Sequence, residues 1–293
     1  MFTDTEATPA RVEMLLDVVR SMSARKLDAA VIKQLLQPAG LPSLTSSSTQ
    51  AARTIFAARE LELIEEQSDG TIRATRSRDT RSARRAVVEA MDDKILASDD
   101  VEPWFALFYA YVLGRDGSAP SDAGAIDQWV ANFERDLFPV EKPTNRFNGS
   151  KYRGLRRWFR YAGLGWHDAE DCFHPNPYER VARRLPDIFG KDRELPIDLF
   201  LQRLSERCPE LDGGHIYLKA NTSRDRPARM LTLGVSHALI ELHLDGALEL
   251  DCPLDSDGWS IAKASPPRDS THLKSDKISS VRRAASKVEA ACG

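Results

Sequence analysis

Apolar residues recur at helical spacing from Arg11 to Ser23, where Val12, Leu15, Leu16, Val19 and Met22 form one stripe. A second stripe runs from Leu27 to Gln37 with Val31, Ile32, Leu35 and Leu36, and Pro38 and Gly40 stop it. Thr45, Ser46, Ser47 and Ser48 offer hydroxyl caps for a third helix that runs to about Glu60, with Ala51, Ala52, Ile55 and Ala58 on its core side. Two short alternating runs follow, Leu61 to Gln67 and Thr71 to Thr75, with Ser68-Asp69-Gly70 between them. Asp-Gly between such runs predicts a hairpin.

The middle of the chain changes tone. Helices are predicted from Arg81 to Met91, from Val101 to Gly114, and from Asp122 to Leu137, ended by Pro139 and Pro143. The second of these carries Trp104, Phe105, Phe108, Tyr109 and Tyr111. Such a stripe serves a packed helical core more often than a partner surface or a base-stacking face. A basic helix follows around Lys151 to Tyr161, with Leu155, Trp158, Phe159 and Ala162 on one face, and it exits through Gly163-Leu164-Gly165 as if into a strand. Helices are also expected at Tyr178–Phe189, Ile197–Arg207 and Val235–Leu244. Ala247 to Cys252 and Trp259 to Ile261 flank an Asp-Ser-Asp-Gly turn and read as a hairpin. The remainder is Ser-, Pro- and charge-rich, with a weak helix from Ile278 to Ala291.

The expected class is mainly α with small β wings. Three helices and then a hairpin is the winged-helix order, and Ser46 to Thr75 resembles the third helix and wing of a winged helix-turn-helix domain. The exit Glu60-Leu61-Glu62-Leu63-Ile64 is similar to Asp245-Gly246-Ala247-Leu248-Glu249-Leu250, so the plan is tandem winged-helix units around a helical middle. The expected domains are a winged helix over 1–77, a helical domain over 78–145, a basic and degenerate winged-helix segment over 146–194, a winged-helix-like unit over 195–264, and a flexible tail over 265–293.

Charge narrows the function. The net charge is −3, so any nucleic-acid contact must come from local patches. If the first third helix enters a major groove, Ser46, Ser47, Ser48 and Thr49 reach phosphates, and Gln50 and Arg53 have donors for base edges. Arg73, Arg76 and Arg78 then sit on or after the wing, where phosphate contact is expected. Glu60, Glu62, Glu65 and Glu66 beside this face favour the other use of a winged helix, a protein-binding module. Lys151, Arg153, Arg156, Arg157 and Arg160, interleaved with Tyr152, Trp158 and Tyr161, suit backbone neutralisation with stacking; a solvated basic face is an equal reading. Val235–Leu244 carries no Lys or Arg and reads as structural or protein-binding.

Enzyme signatures are missing. There is no phosphate-binding glycine loop, no Gly-x-Gly-x-x-Gly and no Gly-x-Ser-x-Gly. His167, Cys172 and His174 match no zinc spacing. No catalysis, cofactor or metal is therefore expected. Cys172, Cys208, Cys252 and Cys292 are scattered as reduced thiols are. The polar N-terminus and the absence of a long apolar run predict a cytoplasmic protein without a membrane partner.

The whole layout resembles the DpdG family. The residues that carry this are Leu35-Leu36-Gln37-Pro38-Ala39-Gly40-Leu41, Trp104-Phe105-Ala106-Leu107-Phe108 and Gly234-Val235-Ser236-His237-Ala238-Leu239 with its wing. The resemblance implies an accessory protein of bacterial clusters that insert deazaguanine bases into DNA and restrict unmodified DNA. It implies protein partners in a multi-subunit assembly, with DNA as a further partner, and assigns no catalytic residue. The alternative is a scaffold whose winged helices bind proteins instead of DNA.

Overall fold

The computed structural model describes residues 7–22, 27–36, 48–75, 81–94, 96, 103–120, 122–138, 146–222, 224–251, 257–262 and 276–284. These residues are mainly helical with small antiparallel sheets.

The first part comprises α1 (Pro9–Ser21), α2 (Ala29–Leu36), α3 (Ser48–Glu60) and the hairpin β1 (Ile64–Glu66) and β2 (Ile72–Ala74). The strands pair antiparallel, Glu65 opposite Arg73. The Asp69-Gly70 turn forms as its chemistry dictates: Asp69 Oδ1 accepts from the Thr71 amide at 3.0 Å, and Gly70 adopts φ +78°. Between α1 and α2 the carbonyl of Leu27 accepts from the Ile72 amide at 2.6 Å. That single hydrogen bond lays Leu27 along the edge of β2, and the sheet itself remains two-stranded. Within α3 the faces differ slightly from the expectation. Thr54 is buried, its hydroxyl donating back to Gln50 O at 2.8 Å, and Ala52 is exposed.

The same connectivity recurs next. After α4 (Ala83–Lys94) come α5 (Pro103–Gly114), α6 (Ala123–Leu137), α7 (Gly149–Tyr161), β3 (Gly165–His167) and β4 (Phe173–Pro175). Ala119, between α5 and α6, exchanges both backbone hydrogen bonds with Phe173 at 2.8 Å, so β4 again lies between an upstream residue and its hairpin partner. Asp122 and Asn148 cap α6 and α7 by accepting from the amides three residues on. α6 packs on α7 and α5 on β4, so the helices before residue 145 touch the basic segment that follows. The aromatic stripe of α5 is core. Trp104, Phe105, Phe108, Tyr109 and Tyr111 are all buried, with Phe108 edge-on to Phe133 at 5.0 Å and Phe105 edge-on to Phe159 at 4.8 Å.

The last part repeats the order with full strands: α8 (Tyr178–Phe189), β5 (Glu194–Pro196), α9 (Ile197–Arg207), α10 (His215–Ala220), α11 (Leu233–Leu244), β6 (Leu248–Asp251), β7 (Trp259–Ser260), β8 (Lys277–Ile278) and β9 (Ser280–Arg283). The sheet order is β5-β9-β6.

Two expectations are corrected here. The segments Ala247–Cys252 and Trp259–Ile261 do not pair with each other. β6 pairs with β9 and β7 with β8, and the partner strands bring Ile278 and Val281 into the core beside Leu248. Residues 276–284 are therefore neither flexible tail nor helix, and only 265–275 and 285–293 of that tail lie outside the described residues.

The three helix-to-strand exits share one hydrogen-bond pattern. Leu63, Leu164 and Ala247 donate to the carbonyls of Ala58, Phe159 and Leu242, five residues back, at 2.9, 3.0 and 2.9 Å. The preceding residues, Glu62, Gly163 and Gly246, have φ of +52°, +69° and +68°. This is the helix ending in which one left-handed residue turns the chain so that two late carbonyls are satisfied.

Candidate nucleic-acid interface

α3, α7 and α11 hold equivalent places, each running directly into a strand, but their surfaces differ in charge. α11 has no Lys or Arg, and half of its residues are buried. Its acids are engaged: Glu241 accepts from Asn176 Nδ2 at 2.9 Å and Asp245 from the Tyr178 hydroxyl at 2.6 Å.

On α3, Arg53 and Phe56 are exposed, Phe56 at 48%. Arg59 is ion-paired with Glu66 of β1, and the cross-strand partner of Arg73 is Glu65. The positive charge of this face is thus partly answered from within. Gln50 is half-buried, and Ser48 and Thr49 open the helix. Ser46, Ser47, Arg76 and Arg78 lie outside the described residues.

α7 carries no acidic residue. Leu155, Trp158, Phe159 and Ala162 are buried on one side as their spacing predicts. Trp158 Nε1 donates to Ala7 O at 3.2 Å and the Tyr161 hydroxyl to Glu13 Oε2 at 2.9 Å, which anchors this side on the first unit. Arg153, Arg157 and Arg160 are exposed on the other side, at i, i+4 and i+7, so they form one row. Lys151 is half-buried, and its ammonium donates to Arg146 O. Arg156 is half-buried. Its guanidinium donates from Nε to His167 Nε2 at 3.1 Å and pairs with Asp171 at 2.6 Å, which fixes helix to hairpin. His167 is held below the ordinary histidine range by burial first and by the Arg156 charge second, which favours the neutral ring that can accept that bond.

The hairpin separates the residues considered as metal ligands. His167 faces Phe173 and His174 faces Trp166 across the strands, so the two imidazoles lie on opposite sides of the ribbon. His174 Nε2 is 2.7 Å from Asp168 Oδ2. Asp168 is held low by that bond and by the Cys172 amide. Among the described residues no group of three or more His, Cys, Asp or Glu could hold a metal ion. Trp166 does not stand out in the sequence. Its signal is a bulky aromatic at the outward position of a strand of three residues, directly after a basic helix.

These features define a mainly helical protein with small antiparallel sheets that presents one arginine row. The chain belongs to the DpdG-like family, which matches it over residues 1–256. That membership points to an accessory role in a DNA-modification cluster. No curated protein and no solved structure matches the chain. Among the described residues no helix is long and apolar enough to cross a membrane.

Proposed function

We propose that the protein is a non-catalytic DNA-binding accessory subunit built from tandem winged helices, and that α7 is its main DNA-contacting helix. The order helix, strand, helix, helix, strand, strand, with the first strand outside the last, is that of a winged helix-turn-helix. In this reading the place of the first strand is taken by the Ala119–Phe173 bridge in the α7 unit and by the single Leu27–Ile72 hydrogen bond in the first. In such domains the helix before the hairpin docks on DNA. The observation that carries the reading is the exposed row Arg153, Arg157 and Arg160 on a helix without acids. Guanidiniums spaced along one face suit the phosphates of a nucleic-acid backbone, and they need no net positive charge elsewhere. Arg53 and Arg73 of the first unit are the secondary contact.

A protein-docking role is favoured for the last unit alone, since α11 offers no cation and Leu244 at its end is 50% exposed. Partner proteins of the assembly bind there in this reading.

The test is fluorescence anisotropy of the full chain on duplex DNA over a salt series. Replacing Arg153, Arg157 and Arg160 together by Ala should flatten the slope of log affinity against log salt by about 0.9 per lost contact, or about 2.7 in all. Wild-type protein without salt-dependent binding at low salt would give the lead to the scaffold reading.

A further inference from the structure

We propose that Trp166 is a stacking platform for an unpaired nucleobase, so that the α7 unit engages single-stranded or locally opened nucleic acid. This rests on the DNA reading of α7 and names the form of nucleic acid it takes.

Trp166 is 49% exposed on β3 although it is the bulkiest kind of side chain. One face of its indole is covered by the His174 imidazole, with centroids 4.3 Å apart and planes 12° from parallel. The exposed surface is consequently the opposite face and the ring edge.

The platform is rigid. His174 is clamped by Asp168 Oδ2 at 2.7 Å, and Asp168 Oδ1 accepts from the amides of Cys172 at 2.8 Å and Glu170 at 3.0 Å, which fixes the turn. At Gly165 the strands approach so closely that a side chain would strike His174 O and the Phe173 ring. Trp166 is thereby set directly across from His174. An aromatic surface that has already lost its rotamer freedom binds a planar partner at low entropic cost.

Charge selects the partner. Arg160 lies in the last turn of α7, six residues before Trp166 of the strand that follows, so the arginine row ends at the hairpin. A backbone track that leads to an aromatic face is the arrangement that holds single strands, because every base has a π-face. The hairpin tip carries Asp168, Glu170 and Asp171, which would repel phosphate. Asp171 is paired with Arg156, which offsets one of the three opposing charges, and Asp168 is turned toward His174 by their hydrogen bond. In a paired duplex the bases are covered by their neighbours and cannot reach the indole, so stacking adds affinity only for an opened strand.

The experiment compares full-length wild type, Trp166→Ala, Trp166→Phe and the Arg153/Arg157/Arg160→Ala triple variant. Each is titrated against a single strand of mixed sequence, about 20 nucleotides long to exceed the site size of one binding module, and against its duplex. The readout is anisotropy, with circular dichroism melting as a folding check. Trp166→Ala should weaken single-strand binding by about 5- to 150-fold, the range for one lost stack. It should change duplex binding little, and Trp166→Phe should restore most of the single-strand affinity. Equal loss on both forms, or no loss on either, overturns the platform. If the triple variant loses salt-dependent binding while Trp166→Ala binds as wild type, stacking fails and the α7 reading stands. If wild type binds neither form, both fail.

Discussion

The carboxylate of Asp92 receives two hydrogen bonds from Arg183, 91 residues away, from Nε at 2.8 Å and Nη2 at 3.1 Å. Asp92 lies near the end of α4, and Arg183 lies on α8. The same guanidinium donates to Ala162 O at 3.0 Å, at the end of α7. Behind it Arg180, fully buried, donates to Glu210 at 2.8 Å and places Nη1 3.3 Å from Asp92 Oδ2. One ionic cluster therefore joins the helix after the first unit, the exit of α7 and the first helix of the last unit. It sets where the arginine row stands relative to the rest of the molecule.

Removing one member of a buried ion cluster leaves the others charged and unanswered. Asp92→Ala should cost about 3–5 kcal/mol of unfolding free energy in urea, far above the roughly 0–1 kcal/mol of an exposed pair such as Lys94–Glu62. Equal costs for Asp92→Ala and Lys94→Ala would show that the cluster does not join the units.

The shared helix exit gives a graded test. At Gly246 no atom lies within 4 Å of an added Cβ, so Gly246→Ala should cost only the left-handed strain, about 1–2 kcal/mol. At Gly163 the added Cβ would sit 2.6 Å from the Cβ of Glu179 on α8, so the same exchange should cost more. Glu62 already bears the strain, and Glu62→Gly should leave stability unchanged or raise it by up to about 1 kcal/mol. Denaturation midpoints in another order would refute the common exit.

Asp212 supplies a pH signature. Burial pushes its carboxyl up to about 6, with the Thr232 hydrogen bond, 2.6 Å from the backbone amide, opposing this. Its Oδ1 is buried and has no hydrogen-bond partner. The folded state holds the proton more tightly than the unfolded chain, so this contribution is full below about pH 4 and is lost as pH rises through about 6. Two pH units correspond to roughly 3 kcal/mol at most. Asp212→Asn keeps an acceptor for Thr232 and should abolish that fall in stability. A variant with an unchanged slope between about pH 4 and 6 would assign the slope to other groups.

The first unit should matter less for DNA than α7. Because Glu65 opposes Arg73 and Glu66 holds Arg59, Arg53→Ala with Arg73→Ala should flatten the salt slope by less than the about 1.8 of two full contacts. A cost on the order of 1–3 kcal/mol for Arg53→Ala on one preferred sequence, with little effect of the α7 exchange, would move base reading to α3.

Local order was legible in the sequence wherever the signal is local. The 3.6-residue stripes located the helices, since an amphipathic face must be buried whatever buries it. Tyr178–Phe189 and Ile197–Arg207 match to the residue. The Asp69-Gly70 turn and the glycine exits at 163 and 246 are backbone requirements that only a few residues meet. The buried side of α7 was equally plain from Leu155, Trp158, Phe159 and Ala162.

Tertiary structure decided the pairings. Ile278 and Val281 are three apart and suit a helix face as well as strands, and only the edges offered by β5 and β6 made Ser280–Arg283 a strand. The backbone contacts of Leu27 with Ile72 and of Ala119 with Phe173 were hidden for the same reason, since each joins residues far apart in the chain. The charge of the candidate faces also needed three dimensions. Sequence lists Arg73 and Arg160 alike as cations, and only the fold puts Glu65 across from the first, leaves the second in an exposed row, and sets an imidazole behind Trp166. Periodicity depends on neighbours along the chain, whereas electrostatics and pairing depend on neighbours in space.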